Sequence, residues 1–220
     1  MRRTLPILIL SVSALSLQAY ESDARIAQVS DGRVDQKTYL NDAFEISFRI
    51  RDGWTIALTP AGTAQFAPDR SAEDPVNKCS RALFTSEPTT SAGRPFGPKV
   101  TYFVFDPECF PGAPFPKSTT DRKAVTAFAG RVVHALALTP YIPPSGADVG
   151  GYDAGKRTFV TLTADKNVEV SGGVEAHKVH VNTLLMLTES SNYWVVMAEM
   201  VDDEAKRTMQ AVGVDVNVRH

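Results

Sequence analysis

The chain lacks several features that would identify a function class directly. It has no dense cluster of lysine and arginine with interleaved aromatic residues, which argues against nucleic acid as a partner. Its net charge is only −2 and unpatterned, a poor match for an anionic membrane surface. It also has no Gly-x-Ser-x-Gly sequence, the motif that carries the nucleophile of α/β-hydrolases. These absences favour a binding protein over an enzyme.

The chain also lacks a hydrophobic run of the roughly 20 residues that a helix needs to span a bilayer. At the N-terminus, Arg2 and Arg3 precede an apolar stretch of about 14 residues, Thr4–Leu17, and Gln18-Ala19 follows as a polar and small exit. This pattern is typical of a secretory signal peptide. We expect residues 1–19 to be removed, and the protein to be exported to the periplasm or the extracellular space without a membrane span.

Cysteine is scarce, with Cys79 and Cys109 as the two instances. In an oxidising compartment the simplest prediction for such a pair is a disulfide. Closing a loop of about 31 residues would contribute roughly 3.5 kcal/mol on the chain-entropy model. Two free thiols or an intermolecular bridge are the alternatives. Neither cysteine has a histidine beside it in sequence, so a catalytic thiol is not expected.

After the leader, residues 20–37 are polar with scattered apolar positions, and we predict a flexible lead-in outside the core. A single α+β domain is expected over residues 38–220. In its first part, Phe44, Ile46, Phe48 and Ile50 alternate with polar residues. Asp52-Gly53 then forms a turn, and alternation resumes at Trp54. This pattern predicts a β-hairpin with one buried face.

Further strands are indicated by β-branched and aromatic runs. Apolar residues on both faces of 98–106 predict a central strand covered on two sides. Proline-rich residues 107–117 and the stretch 141–155 read as irregular. Turns are expected at 165–167 and 190–192. The remaining strands are predicted at 62–67, 79–86, 158–164, 168–172, 175–189 and 192–201.

Two helices are predicted. Residues 122–138 carry an apolar stripe at helical spacing, with Thr120 or Asp121 as the N-cap. Asp202-Asp203 begins a final helix, with acidic residues at its positive end. Strands outnumber helices, so the expected fold is α+β, a twisted antiparallel sheet with packed helices.

Short motifs strengthen this fold prediction. The segment TYLNDAFEISFRIRDGWTI over 38–56 and the closing strand Ser191–Trp194 resemble PsbP-like domains, although these usually have proline where this chain has Asp52. Uncharacterised secreted proteins of soil bacteria are similar at Cys79-Ser80-Arg81 and Phe105–Pro111. The resemblance implies an α/β/α sandwich and a non-catalytic accessory or binding role. It implies no catalytic residue.

Polar candidates for chemistry are few. Asp106 and Glu108 at a strand end could bind a cation through oxygen, or could simply form a strand terminus pinned by the disulfide. His177 and His180, three apart on a predicted strand, point to opposite faces and cannot chelate one ion there. His134 lies on the predicted helix, where a structural role is expected. We therefore predict no metal site and no cofactor.

The aromatic loop residues Phe110 and Phe115 could form an apolar rim for a ligand, or could fasten long loops onto the sheet. The working hypothesis is an exported, non-catalytic binding or accessory module whose partner is an envelope protein or a small ligand. The oligomeric state is left open. The alternative is a metal-dependent or hydrolytic envelope enzyme that uses Asp106, Glu108 and a histidine.

Overall fold

The structure, a computed structural model, describes residues 26, 29–50, 52–59, 66, 70–71, 73–89, 96–110, 112, 114–136, 138, 142, 146–172 and 175–212. Its strands are β1 (Arg33–Asp35), β2 (Thr38–Asn41), β3 (Ile46–Arg49), β4 (Trp54–Leu58), β5 (Ser80–Pro88), β6 (Val100–Phe105), β7 (Asp148–Ala154), β8 (Arg157–Gly172), β9 (Glu175–Ser190) and β10 (Tyr193–Asp202). Its helices are α1 (Pro75–Lys78), α2 (Arg122–Ala135) and α3 (Asp203–Val212), with a 3-10 turn at Pro107–Cys109.

The strands form two antiparallel sheets. The large sheet has seven strands in the order β4-β5-β6-β10-β9-β8-β7, and the small sheet has the order β1-β2-β3. Both faces of the large sheet are buried at its centre, because side chains of its central strands alternate between two cores. On β10, Trp194 and Val196 belong to the core beneath α2, whereas Val195 and Met197 belong to the core beneath the small sheet.

The architecture is therefore α+β with the antiparallel sheet dominant. Helix α2 covers one face of the large sheet through Val125, Phe128 and Val132. The small sheet covers much of the other face, together with Ala205 and Met209 of α3. One of the two layers that cover the large sheet therefore consists mainly of the small sheet. In an α/β/α sandwich both covering layers would consist of helices.

The helix predictions are confirmed at their N-termini. The Asp121 side chain accepts a hydrogen bond from the Ala124 amide at 3.0 Å, and the Asp202 side chain accepts one from the Ala205 amide at 2.8 Å. Helix α2 ends at Ala135, before the predicted end at Leu138. Leu138 lies outside the helix and is nevertheless buried. The buried part of the segment therefore extends beyond the last helical residue.

The predicted hairpin over residues 38–58 is wrong. β3 pairs with β2 in the small sheet, whereas β4 pairs with β5 in the large sheet. The Asp52-Gly53 turn is present, with Gly53 at a φ of 79°, but it carries the chain from one sheet to the other. Alternation of apolar and polar residues identifies the buried face of a strand, but it does not determine which strand pairs with it. The sequence therefore predicts β3 and β4 correctly as strands and pairs them wrongly.

Residues 20–37 are predicted to lie outside the core, and this is wrong for Ile26 and Val29. Ile26 and Val29 are only 6% and 8% exposed, and Arg33–Asp35 forms β1. Arg81 holds this segment, since its buried guanidinium donates to the Val29 carbonyl at 2.5 Å and to the Asp31 carboxylate. Arg81 lies on β5 and is distant in sequence from this segment, so the composition of residues 20–37 does not indicate the contact.

β8 is a single long strand where two shorter strands are predicted. β8 runs unbroken through residues 165–167, which pair with residues 180–182 of β9 instead of forming a turn. β7 lies inside the stretch 141–155, for which irregular structure is predicted. Its backbone at Gly151 lies close to β8, since a Cβ there would lie 2.4 Å from the Phe159 carbonyl oxygen. Cross-strand pairing overrides local turn propensity at both places. The turn at Ser191-Asn192 is confirmed, while the strand predicted at 62–67 lies outside the described residues except for Phe66.

The β2–β3 turn is fastened to the large sheet. Arg157 donates to the Phe44 carbonyl at 3.1 Å and to the Glu45 carboxylate at 2.9 Å. Ser190 donates to the same Phe44 carbonyl at 2.9 Å, and Ser191 donates to the Ala43 carbonyl. These contacts join residues near position 44 to residues more than 100 positions later in the chain.

Asp153 on β7 anchors the segment that precedes α2. It accepts hydrogen bonds from Ser118 and Thr158, both at 2.9 Å, and from the backbone and side chain of Thr119. The hydroxyl hydrogen bonds from Ser118 and Thr158 lower the pKa of Asp153. The ionised carboxylate is therefore the form that the fold favours.

We expect the stability that Asp153 provides to be present at neutral pH and lost in acid. A group whose pKa is depressed by folding stabilises the fold above its unfolded-state pKa, and this contribution is lost as the pH falls through its folded-state pKa. In urea denaturation, wild type should exceed Asp153→Asn in stability at pH 7, and the difference should shrink towards pH 3. The exposed Asp148→Asn on the same strand is the control. A difference that stays constant across this range would contradict the prediction.

Candidate functional site

The carboxylates singled out from the sequence lie at the end of β6. Asp106 is buried, and its side chain accepts a hydrogen bond from the Glu108 amide at 3.0 Å as the cap of the 3-10 turn. Glu108 is exposed. Among the described residues, no group of three or more histidine, cysteine and acidic side chains could hold a metal ion.

The Cys79–Cys109 disulfide is confirmed. It joins the residue before β5 to the 3-10 turn after β6, two strands that are already neighbours in the large sheet. The Asp106 amide donates to the Cys79 carbonyl at 2.9 Å and reinforces the same junction. Asp106 therefore has a clear structural role beside the bridge.

The two aromatic loop residues pack into the core beneath α2. Phe110 stacks on Trp194 with ring centroids 5.7 Å apart, and Phe115 meets Phe128 edge-on at 4.8 Å. Phe110 is buried and Phe115 is half-buried. These contacts are those of side chains that fasten a loop onto the sheet, the second of the two interpretations drawn from the sequence.

The histidines are not brought together. His180 Nδ1 lies 3.0 Å from an Asp203 carboxylate oxygen, on the side of the sheet where α3 packs. His134 is exposed on α2, which covers the opposite face. The side chain of His177 lies outside the described part of the structure. His134 and His180 therefore cannot bind one ion together.

A groove that the sequence did not indicate lies between the two sheets, on the face opposite α2. Its cavity volume is about 20 Å³, and about 390 Å³ when the open solvent around it is included. One wall comes from β3, and the floor and other walls come from strands of the large sheet. We call it the inter-sheet groove, and it is lined by Ile46, Ser47, Phe48, Tyr102, Phe159, Met186, Thr188, Val195 and Met197.

The lining of the inter-sheet groove is apolar except for three hydroxyl groups. The Thr188 hydroxyl is already engaged, donating to the Thr158 carbonyl at 3.0 Å. Ser47 is half-buried. The Tyr102 hydroxyl is buried and has no hydrogen-bond partner in the described structure. Burial, assisted by the nearby Glu199 carboxylate, raises the pKa of Tyr102 well above its usual value, so the phenol keeps its proton.

An exposed tyrosine extends the aromatic surface of the groove outwards. Tyr152 on β7 is 47% exposed and stacks on Phe159 with ring centroids 4.8 Å apart. Its hydroxyl donates to the Met186 sulfur at 3.3 Å. Phe159 thus contributes both to the groove lining and to a ring stack that reaches the surface.

Two buried tyrosines beside the groove differ in their hydroxyl groups. Tyr39 and Tyr102 both pack on Phe84, with ring centroids 4.1 and 4.5 Å from it. The Tyr39 hydroxyl donates to the Asp31 carbonyl and accepts from the Asn41 amide group. The chain therefore satisfies one of these two hydroxyls and leaves the other without a protein partner.

We expect removal of these hydroxyls to have opposite consequences for stability. Tyr39→Phe should lower the free energy of unfolding by about 1–3 kcal/mol, because it removes hydrogen bonds and leaves buried partners unpaired. Tyr102→Phe should leave stability unchanged or raise it by about 1 kcal/mol, because it removes an unsatisfied buried polar group. Urea denaturation at pH 7 measures both. Equal losses in the two variants would contradict the contrast.

The described helices include none that is long and apolar enough to cross a membrane. No family model matches this chain, and no curated protein does so either. Among solved structures it is similar to the solution structure of cyanobacterial PsbP (CyanoP) from Synechocystis sp. PCC 6803. The match covers 83% of this chain and 91% of that chain at 13% identity, with a TM-score of 0.40.

Proposed function

We propose that this protein is an exported, non-catalytic binding module that holds a small apolar ligand in the inter-sheet groove. The observation that carries the proposal is the groove itself, an opening in the core between two sheets. Its lining is mostly apolar with a few polar groups, the composition that is typical of small-molecule sites.

The lining supports an adaptable fit. Met186 and Met197 contribute unbranched, polarisable side chains that adjust to a ligand more readily than β-branched residues do. Phe48 and Phe159 offer rigid ring surfaces. A ligand that buries apolar surface against these four side chains gains affinity without a charged anchor.

Two observations support export. The N-terminal pattern is that of a signal peptide, and the Cys79–Cys109 disulfide suits an oxidising compartment. The proposed role is thus a carrier or accessory module of the cell envelope, and an envelope protein is the partner class that would receive or present the ligand.

Titration of the purified protein with the neutral dye Nile red tests the binding role. We expect a saturable fluorescence increase with one site per chain. Thr188→Phe, which fills the groove from β9 on the same face as Met186, should weaken dye binding at least tenfold. Thr55→Phe, on an exposed position of β4, is the matched control and should bind as wild type does. Non-saturable binding, or equal binding by both variants, would overturn the proposal.

A further inference from the structure

We infer that β7 is an interaction surface at which a second copy of this chain pairs edge to edge, so that the large sheet continues across a two-fold axis at Gly151. The inference goes beyond the proposed function and does not depend on the inter-sheet groove. It rests on the free edge of β7, on the self-complementary sequence of this strand and on the charged residues Asp148 and Lys156 at its two ends.

The first step concerns the free edge. Within the described structure β7 is the last strand of the large sheet and pairs with β8 alone. It is the longest of the edge strands, with seven residues against three to five for β1, β3 and β4. It contains neither lysine nor proline, which natural edge strands use to prevent pairing with another chain. Such an edge is a template for a further strand.

The second step concerns the backbone groups at this edge. A Cβ at Gly151 would clash with the Phe159 carbonyl oxygen, so this carbonyl is directed at β7. Phe159 lies opposite Tyr152, whose amide and carbonyl groups therefore point towards β8. Because these groups alternate in direction along a strand, Val149, Gly151 and Asp153 present theirs at the free edge. Two copies aligned at Gly151 pair Val149 with Asp153 and form about six backbone hydrogen bonds.

The third step concerns the aromatic side chain on the edge. Tyr152 is 47% exposed, and one surface of its ring stacks on Phe159. In the same alignment Tyr152 lies opposite Gly150 of the second copy and diagonal to Tyr152 of that copy. Gly150 has no side chain, so the outer surfaces of the two Tyr152 rings meet across the axis. A continuous row of rings then runs from one Phe159 to the other.

The fourth step concerns charge and identifies the partner. Asp148 begins β7, Lys156 lies in the turn after it, and both side chains are exposed. The alignment places Asp148 opposite Ala154 of the second copy and diagonal to Lys156 of that copy, within reach of a long side chain. The two-fold axis makes this attraction twice. The carboxylate of Asp153 is already bound on the opposite face of the sheet. This match requires the same strand in both partners, so it favours a second copy over another protein.

Sedimentation velocity of the purified protein from about 5 to 500 μM tests the inference, a range that suits a small and weak interface. We expect monomer at the low end and dimer at the high end. Lys156→Asp and Asp148→Lys should each weaken dimerisation by about fivefold or more, because two attractions become repulsions. The variant with both reversals should recover to within about twofold of wild type. Lys123→Asp makes the same charge change at an exposed position of α2 and should dimerise as wild type does.

Amide hydrogen exchange followed by NMR locates the interface. At concentrations that give dimer, the amides of Val149, Gly151 and Asp153 should exchange several times more slowly than in the monomer, whereas those of β4 should not change. A chain that stays monomeric, a dimer that tolerates both single charge reversals, or protection at β4 in place of β7 would overturn the inference. Protection of β7 that requires a different protein would assign the edge to a strand of that protein and would overturn it too.

Discussion

Replacing Trp194 by alanine is expected to lower the free energy of unfolding by about 3–5 kcal/mol, the range for truncating a large buried aromatic side chain. Trp194 is fully buried at the start of β10. Phe110 stacks on it at 5.7 Å and Phe128 meets it edge-on at 5.3 Å. The substitution would remove the side chain that joins β10, α2 and the proline-rich loop, and would leave a cavity among them.

Chemical denaturation and calorimetry measure this effect, and the midpoint of thermal unfolding should fall by roughly 6–20 °C for a domain of this size. Tyr152→Ala, which truncates a half-exposed aromatic residue on an edge strand, is the matched control and should cost about 1 kcal/mol or less. A loss below about 1 kcal/mol in Trp194→Ala would show that the core beneath α2 is packed differently.

Removal of the disulfide should have the next largest effect. The double variant Cys79→Ala/Cys109→Ala should lose about 3.5 kcal/mol, because the unfolded chain regains the freedom of the loop that the bridge closes. Addition of a reductant to wild type should reproduce the loss. Alkylation of the unfolded protein without reductant should label neither cysteine, and full labelling would contradict the bridge.

The two effects should be coupled. Phe110, which stacks on Trp194, follows Cys109 directly, so the bridge holds the ring that packs on the indole. In a double-mutant cycle, the disulfide should therefore contribute less in the Trp194→Ala background than in wild type. Strict additivity would show that the loop keeps its position without the bridge.

Local patterns predicted the parts of the fold that local physics determines. The apolar stripe of α2 and the caps Asp121 and Asp202 follow from neighbours within a few residues. Strand pairing does not, because alternation around Asp52-Gly53 is the same whether β4 pairs with β3 or with β5. The burial of the segment before β1 could not be predicted for the same reason, because Arg81, which binds Asp31 of that segment, lies about 50 residues away.

The groove could not be predicted from the sequence, because the residues that line it show the same alternation of apolar and polar positions as residues of a filled core. Phe48 and Val195 alternate with polar or opposite-facing residues as any buried strand residue does, and a core gap leaves no trace in that pattern. Only Tyr102 offered a signal, a polar-tipped side chain at an inward position of a central strand. The groups near its hydroxyl, such as Glu199, are distant in sequence and are brought near it only by three-dimensional packing.

The fastening of the β2–β3 turn to the large sheet determines the order in which the groove can form. One wall is made by residues 46–48 and the facing walls by Tyr102 and residues between 159 and 197, and the Ser190 contact to Phe44 spans 146 positions. We expect contacts of such separation to form after the local β8–β9–β10 meander, because closing the longer loop costs more conformational entropy. A chain that ends before β8 lacks most of the groove lining, so binding at the proposed site would require the whole fold to be complete.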